Sequence, residues 1–332
     1  MLNQVTNRIS KTRPFRALVD KLSVPGPVKL NLSGLTGSLL TAVIGALFDE
    51  LDRTMVVVTP GDDTAVPVYS DLKHFIPKDQ VYHLCSRGIF PFQMKTAYFE
   101  TSGTKLEAMY ALLERKSVVV ATPHAVAERT VPPGRLREST LLMRVGEEKD
   151  MREIGGFLVD SGYKRVGMVE EVGDFAVRGG LIDIFPASSE YPVRMEFFGD
   201  EIDSIRKFSV SNQRSLENIE EILLLPRREF QASESQLQKM MSRFTDAQRD
   251  ALEEALLIDD PLPGLEWLAP VSGEETSPIN DYLPGDSLVI KIEPEAIEDG
   301  IRQFIEEGAE RREQAEEAGW PLCSMEKLTL DY

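Results

Sequence analysis

The chain has 332 residues, 42% hydrophobic and 28% charged, an ordinary balance for a globular protein too long for one small core. Its formal net charge of −18 disfavours general nucleic-acid binding, because a phosphate backbone is gripped by Lys and Arg that displace counterions. No apolar run reaches the roughly 18 to 20 residues of a membrane span, and the basic stretch Met1 to Arg16 lacks the apolar core of a secretory signal.

The first third alternates strand and helix signals. Val28 to Leu32 is a short apolar strand candidate that ends at Ser33-Gly34. Apolar residues at Leu40, Val43, Ile44, Leu47, Phe48 and Leu51 then recur at the three-and-four spacing of an amphipathic helix. Met55 to Thr59 is a buried strand closed by Pro60-Gly61. A helix near Ala65 to Phe75, a strand at Val81 to Leu84, a helix at Thr104 to Arg115 and a strand at Ser117 to Ala121 follow. Continuous apolar strands alternating with helices predict an α/β domain, residues 1–130, built on a parallel sheet.

After Val131-Pro132-Pro133-Gly134 the pattern changes. One helix is expected at Lys149 to Asp160, ended by Ser161-Gly162. Strand-like runs follow at Arg165 to Glu170, Asp174 to Arg178, Leu181 to Phe185, Val193 to Phe198 and Glu201 to Phe208, with Gly199-Asp200 as a hairpin turn. This is an inserted α+β domain with an antiparallel sheet, residues 131–226. The last part, 227–332, reads as helical with one strand, packing back on the first domain. Its elements are a helix at Ser233 to Leu257, a loop around Pro261-Leu262-Pro263-Gly264, a strand at Ser287 to Ile292 and a charged helix at Glu295 to Ala318. Pro321 to Tyr332 closes no evident domain, so continuation into a longer protein is expected.

Gly34-Leu35-Thr36-Gly37-Ser38-Leu39-Leu40-Thr41 falls where a phosphate loop would sit, before a helix start whose backbone N–H groups can cradle an anion. In the working pattern Gly-x-x-x-x-Gly-Lys-[Ser/Thr], Leu39 replaces the last glycine and Leu40 the lysine, while Thr41 keeps the hydroxyl that would face magnesium. The segment is either an ordinary βα turn, which the residues alone favour, or a degenerate nucleotide loop. On both readings hydrolysis is not expected, and no catalytic residues or cofactor are assigned.

Other chemistry has little support. His74, His83 and His124 lie in different elements without metal-ligand spacing, and no G-x-S-x-G elbow or C-x-x-C pair occurs. Cys85 and Cys323 are far apart, which suits packing roles, a reducing compartment and hence a cytoplasmic location. Asp183 and Glu196 alternate with apolar residues, the usual position for the wet side of a sheet. Arg227-Arg228, Arg311-Arg312, Glu274-Glu275 and Glu306 to Glu317 read as solvated charge.

On the strand Val193 to Phe198, Val193, Met195 and Phe197 share one face and Arg194, Glu196 and Phe198 the other. An arginine and a phenylalanine on the face away from the core have the chemistry of a binding hot spot. A phenylalanine tucked under a neighbouring loop is the equal alternative.

The run Gly-Asp-Phe-Ala-Val-Arg-Gly-Gly-Leu-Ile-Asp-Ile-Phe-Pro from Gly173, followed by Val-Arg-Met-Glu-Phe-Phe-Gly-Asp-Glu-Ile-Asp-Ser-Ile-Arg from Val193, resembles the domain shared by the excision-repair protein UvrB and the transcription-repair coupling factors. The resemblance extends over nearly the whole chain, with Leu262 to Pro270 and Asp281 to Pro284 looking like the coupling-factor segment that closes the first domain. Loss of the lysine at Leu40, and a stretch Phe90 to Phe99 with Tyr98 as its one tyrosine, separate the chain from UvrB and match the coupling factors.

The resemblance implies a degenerate motor-like domain split around an insert that docks UvrA through Arg178, Arg194 and Phe198. It further implies a masking contact with the translocase part of the intact protein, and RNA polymerase and DNA contacts through regions outside this chain.

Overall fold

The computed structural model describes residues 3–93, 99–230, 238, 240–246, 248–250, 264–320 and 322–330. Contacts divide the chain into two units. One comprises Met1–Leu84, Ala108–Val126 and Tyr282–Arg302; the other comprises Cys85–Glu107, Ala127–Asp281 and Gln303–Tyr332.

The first unit holds helices α1 (Asn3–Ile9), α2 (Arg13–Leu22), α3 (Ser38–Leu51) and α4 (Asp62–Leu72), with strands β1 (Met55–Val58), β2 (Val81–Leu84) and β3 (Val118–Ala121). The later part of α5 (Phe99–Glu114), most of α6 (Pro123–Ala127), a far strand β14 (Leu288–Lys291) and the start of α10 (Pro294–Glu317) complete it. The strands form a parallel sheet in the order β14-β1-β3-β2, with Met55 opposite both Val118 and Leu288.

The central strands read Met-Val-Val-Val and Val-Val-Val-Ala and are buried throughout, because helices cover a parallel sheet on both faces. Edge strand β14 alternates half-buried and exposed residues instead. Ile44, Leu47 and Phe48 of α3 and Ala65 and Leu72 of α4 pack with Val57, Val118 and Val120 into one core.

Two expectations need correction here. Residues 27–33 form no strand. Pro25 and Pro27 flank Gly26, Val28 and Leu32 are exposed, and no strand among the described residues pairs with this stretch. The helix predicted near Ala65 to Phe75 runs instead from Asp62 to Leu72.

In the second unit, β4 (Arg129–Thr130) pairs with β13 (Ser277–Pro278), and α7 (Pro133–Glu138) precedes β5 (Leu141–Arg144). Helix α8 (Met151–Asp160) is capped by Asp150, whose carboxylate accepts from the Arg152 N–H at 2.7 Å. A six-stranded sheet follows, built from β6 (Lys164–Arg165), β7 (Asp174–Arg178), β8 (Leu181–Ile184), β9 (Val193–Phe198), β10 (Glu201–Phe208) and β11 (Ser215–Ile219). They neighbour one another in that order and are antiparallel except for β6 and β7. β12 (Glu221–Leu224) pairs with β5, and α9 (Leu265–Ser272) follows later.

One sheet face carries Phe175, Ile182, Ile184, Val193, Met195, Ile202 and Ile205, which pack against Ile154 and Leu158 of α8 and Met143, Ile222 and Leu224 of the β5–β12 pair. The predicted strand Arg165 to Glu170 stops at Arg165. Beyond it Val169 is fully buried with Ala176 and Phe208 on the sheet's other face, so this stretch folds over the sheet rather than extending it. Most of the predicted helix Ser233 to Leu257, together with Pro261 to Pro263 and Tyr98, lies outside the described residues.

Candidate protein-docking face

Arg178, Arg194 and Phe198 fall on one sheet face. Cross-strand register places Ala176, Asp183, Arg194 and Arg206 along one rung, and Arg178, Leu181, Glu196 and Ser204 along the next. Side chains alternate along each strand, so Arg178, Arg194 and Phe198 all project away from the core of Phe175, Met195 and Ile205. With strands about 4.8 Å apart and about 3.3 Å of rise per residue, the three Cα atoms form a triangle roughly 12 to 13 Å on a side. That is small enough for one partner surface to cover all three.

Their states differ. Phe198 is 82% exposed, at the end of β9 beside the Gly199-Asp200 turn. A φ of 67° at Gly199 suits the mirror-image turn that closes a two-residue hairpin, and it leaves the ring beyond the cover of any neighbouring loop. Arg178 is exposed and donates through Nη2 to the Gly167 carbonyl; it forms no ion pair among the described residues.

Arg194 is 19% exposed in its side chain. Its Nε donates to Asp183 Oδ1 at 2.6 Å and its Nη2 to Oδ2 at 2.8 Å, while the guanidinium lies 4.8 Å over the Phe208 ring. The hydrogen bond to Asp183, opposed by partial burial, holds the Arg194 pKa above its ordinary value. Asp183 is only 3% exposed, so the expectation of a wet position is wrong. It faces away from the main core, yet Arg194 and the small Val169–Ala176–Phe208 cluster close over that end of the face. Glu196 accepts from Ser204 Oγ at 3.1 Å and pairs with Arg206.

A second group of charges escaped the sequence reading. Arg87, Lys105, Glu128, Glu229 and Glu266 are all buried. Arg87 donates from Nε to Glu229 Oε2 at 2.9 Å and from Nη2 to the Arg129 carbonyl at 2.7 Å, and it lies 4.9 Å over the Trp267 ring. Burial alone would raise the Glu229 carboxyl, but Arg87 and Lys105 bring it down to about 2. Arg228 is buried too, which corrects the reading of Arg227-Arg228 as solvated. These residues are scattered from 87 to 266, so no local spacing could have joined them.

The glycine-rich segment sits elsewhere, in the first unit. Gly34 and Gly37 have φ of 80° and 55°, and α3 begins at Ser38. Ser38 Oγ donates to Asp71 Oδ2 at 2.9 Å, and the buried Thr41 hydroxyl donates to the Ser38 carbonyl at 3.1 Å. Leu39 is exposed, and Leu40 packs on the core. Leu35 also packs on that core, whereas Thr36 is exposed. Among the described residues no group of three His, Cys, Asp or Glu could hold a metal ion, and no helix is long and apolar enough to cross a membrane.

The family described as "UvrB interaction domain" matches residues 141–230, which include Arg178, Arg194 and Phe198. The transcription-repair-coupling factor of Haemophilus influenzae is 29% identical over 317 residues, covering 92% of this chain and 27% of its own length. The Escherichia coli factor is 29% identical over 275 residues, covering 80% of this chain and 24% of its own length. The Bacillus subtilis factor is 30% identical over 229 residues, covering 69% of this chain and 19% of its own length. The chain therefore spans only about a quarter of the curated relatives it matches. By this kinship it belongs with the transcription-repair-coupling factors, and its residues 141–230 match the UvrB interaction domain.

Proposed function

We propose that the chain is a protein-docking module that recruits UvrA in transcription-coupled nucleotide excision repair, with the insert 131–226 as the docking domain and no nucleotide hydrolysis of its own. The observation that carries this reading is Phe198. A phenylalanine 82% exposed on the same sheet face as Arg178 and Arg194 presents the aromatic-and-arginine chemistry of an interface hot spot. The match of residues 141–230 to the UvrB interaction domain and the similarity to transcription-repair-coupling factors support the choice of pathway and partner.

Phe198 would fill an apolar recess on UvrA, with Arg178 set against a carboxylate. In the intact protein the translocase part would cover the same face, while RNA polymerase and DNA would be contacted through regions outside this chain. A cytoplasmic location fits this work. The alternative of an ATP-dependent, UvrB-like damage-verifying protein is disfavoured by Leu39 and Leu40 and by the internal hydrogen bond of the Thr41 hydroxyl.

Calorimetric titration with purified UvrA tests the reading. Phe198→Ala and Arg178→Ala should each weaken binding by about 2 kcal/mol or more. Val159→Ala, on the exposed side of α8, should change it little. Wild-type affinity in both face variants would reject the assigned surface.

A further inference from the structure

The geometry points to Asp183 as a positioning residue: it holds one edge of the Arg194 guanidinium and cancels its charge, so that the other edge recognises an uncharged carbonyl oxygen on the partner. This rests on the docking reading above and goes beyond it by dividing the work between the two arginines.

A guanidinium carries five N–H donors in a fixed plane. Asp183 takes the edge formed by Nε and Nη2. Phe208 lies against the plane, which fixes its rotation. No hydrogen bond of Nη1 is formed among the described residues, so its two N–H groups remain on the partly open side. Glu196 does not compete for them, since Ser204 and Arg206 already hold it.

Charge decides what this edge can take. A carboxylate brought to Nη1 would meet the Asp183 charge as well as that of Arg194, and the net attraction would be small. A neutral carbonyl meets aligned donors without that repulsion, and docking then strips little water from an isolated ion. Arg178 forms no ion pair among the described residues, so no carboxylate partner is bound to its guanidinium. Arg178 would therefore supply the ionic, salt-sensitive part of binding, and Arg194 the directional, salt-insensitive part.

Affinity for UvrA, measured across a series of salt concentrations, separates the two roles. Arg178→Ala should flatten the salt dependence. Arg194→Lys keeps a cation beside Asp183 but loses the second edge; it should bind about tenfold more weakly with the slope unchanged. Asp183→Asn should also cost about tenfold, yet less than about twofold when added to Arg194→Met, because its effect passes through Arg194. An Asp183→Asn effect that persists in the Arg194→Met background would overturn the inference, as would an Arg194→Lys variant that binds like wild type or loses salt dependence as Arg178→Ala does. If the wild-type chain fails to bind UvrA, the docking reading falls. Positioning is then decided in the free protein by NMR of the Arg194 Nε–H, which should exchange slowly in the wild type and rapidly in Asp183→Asn. Equal exchange in both would reject it.

Discussion

Gly103 of α5 lies so close to Ala187, just after β8, that a Cβ at Gly103 would overlap the Ala187 carbonyl and come within 2.9 Å of its Cβ. The obstacle is mostly backbone and cannot swing aside. Gly103→Ala should therefore destabilise the protein by about 1 to 3 kcal/mol, despite the better helix propensity of alanine. Thermal denaturation should show a lower midpoint. Gly156→Ala, in α8 with nothing within 4 Å of the added Cβ, is the control and should raise stability by about 0.5 to 1 kcal/mol.

Glu229, buried against Arg87 and Lys105, gives stability a pH dependence whose sign is fixed. The Glu229 carboxyl titrates at about 2 in the folded chain, below its ordinary 4.5. Its stabilising contribution is complete above about 4.5 and is lost as pH falls from there towards 2. Urea unfolding should show falling stability across that window. Arg87→Met leaves Glu229 and Glu128 buried with one cation fewer and should cost about 3 to 5 kcal/mol at neutral pH. Equal midpoints for wild type and Arg87→Met at pH 7 would reject this account.

Local pattern made part of this architecture legible. The bounds of β2, β7, β9 and β10 coincide with the strand-like runs that predict them, and the outward face of β9 follows from alternation alone. What failed depended on partners distant in sequence. Asp183 looks solvated because it alternates with apolar residues along its strand, and that alternation does not report that Arg194 will close over it. Arg228 and Glu229 look like surface charge until Arg87, Lys105 and Trp267 arrive from elsewhere. Strand β11, Ser-Leu-Glu-Asn-Ile, was missed because an exposed edge strand lacks an apolar run.

Glu266 titrates in the opposite sense. Its carboxylate is 3% exposed, Oε2 has no hydrogen-bond partner among the described residues, and burial raises its pKa despite nearby Arg87 and Arg228. A raised carboxyl takes up its proton more readily in the folded chain, so it opposes folding at neutral pH and ceases to do so as pH falls towards 4.5. Glu266→Gln, nearly the same size and uncharged, should therefore raise the melting midpoint at pH 7.5. That advantage should shrink at pH 4.5, compared at each pH with wild type to cancel the Glu229 effect. A lower midpoint for Glu266→Gln at pH 7.5 would mean that its charge helps hold Arg87 or Arg228.

The glycine-rich turn before α3 should take up no nucleotide. Three features oppose it: Leu40 stands where a cation would meet the phosphates, the Thr41 hydroxyl is spent on Ser38, and the Asp71 carboxylate binds the Ser38 hydroxyl at the helix start. A negative charge at that end is itself favourable to the helix dipole, and it repels a phosphate that would take the same place. A ligand that binds only the folded state at a hundred times its dissociation constant adds about 2.7 kcal/mol of stability, which a melting curve would register plainly. Melts with and without millimolar magnesium–ATP should superimpose, and purified chain should release no phosphate. A magnesium-dependent rise in midpoint that disappears in Thr41→Ala would instead restore a working loop, because the hydroxyl would then have to leave Ser38 to reach the metal.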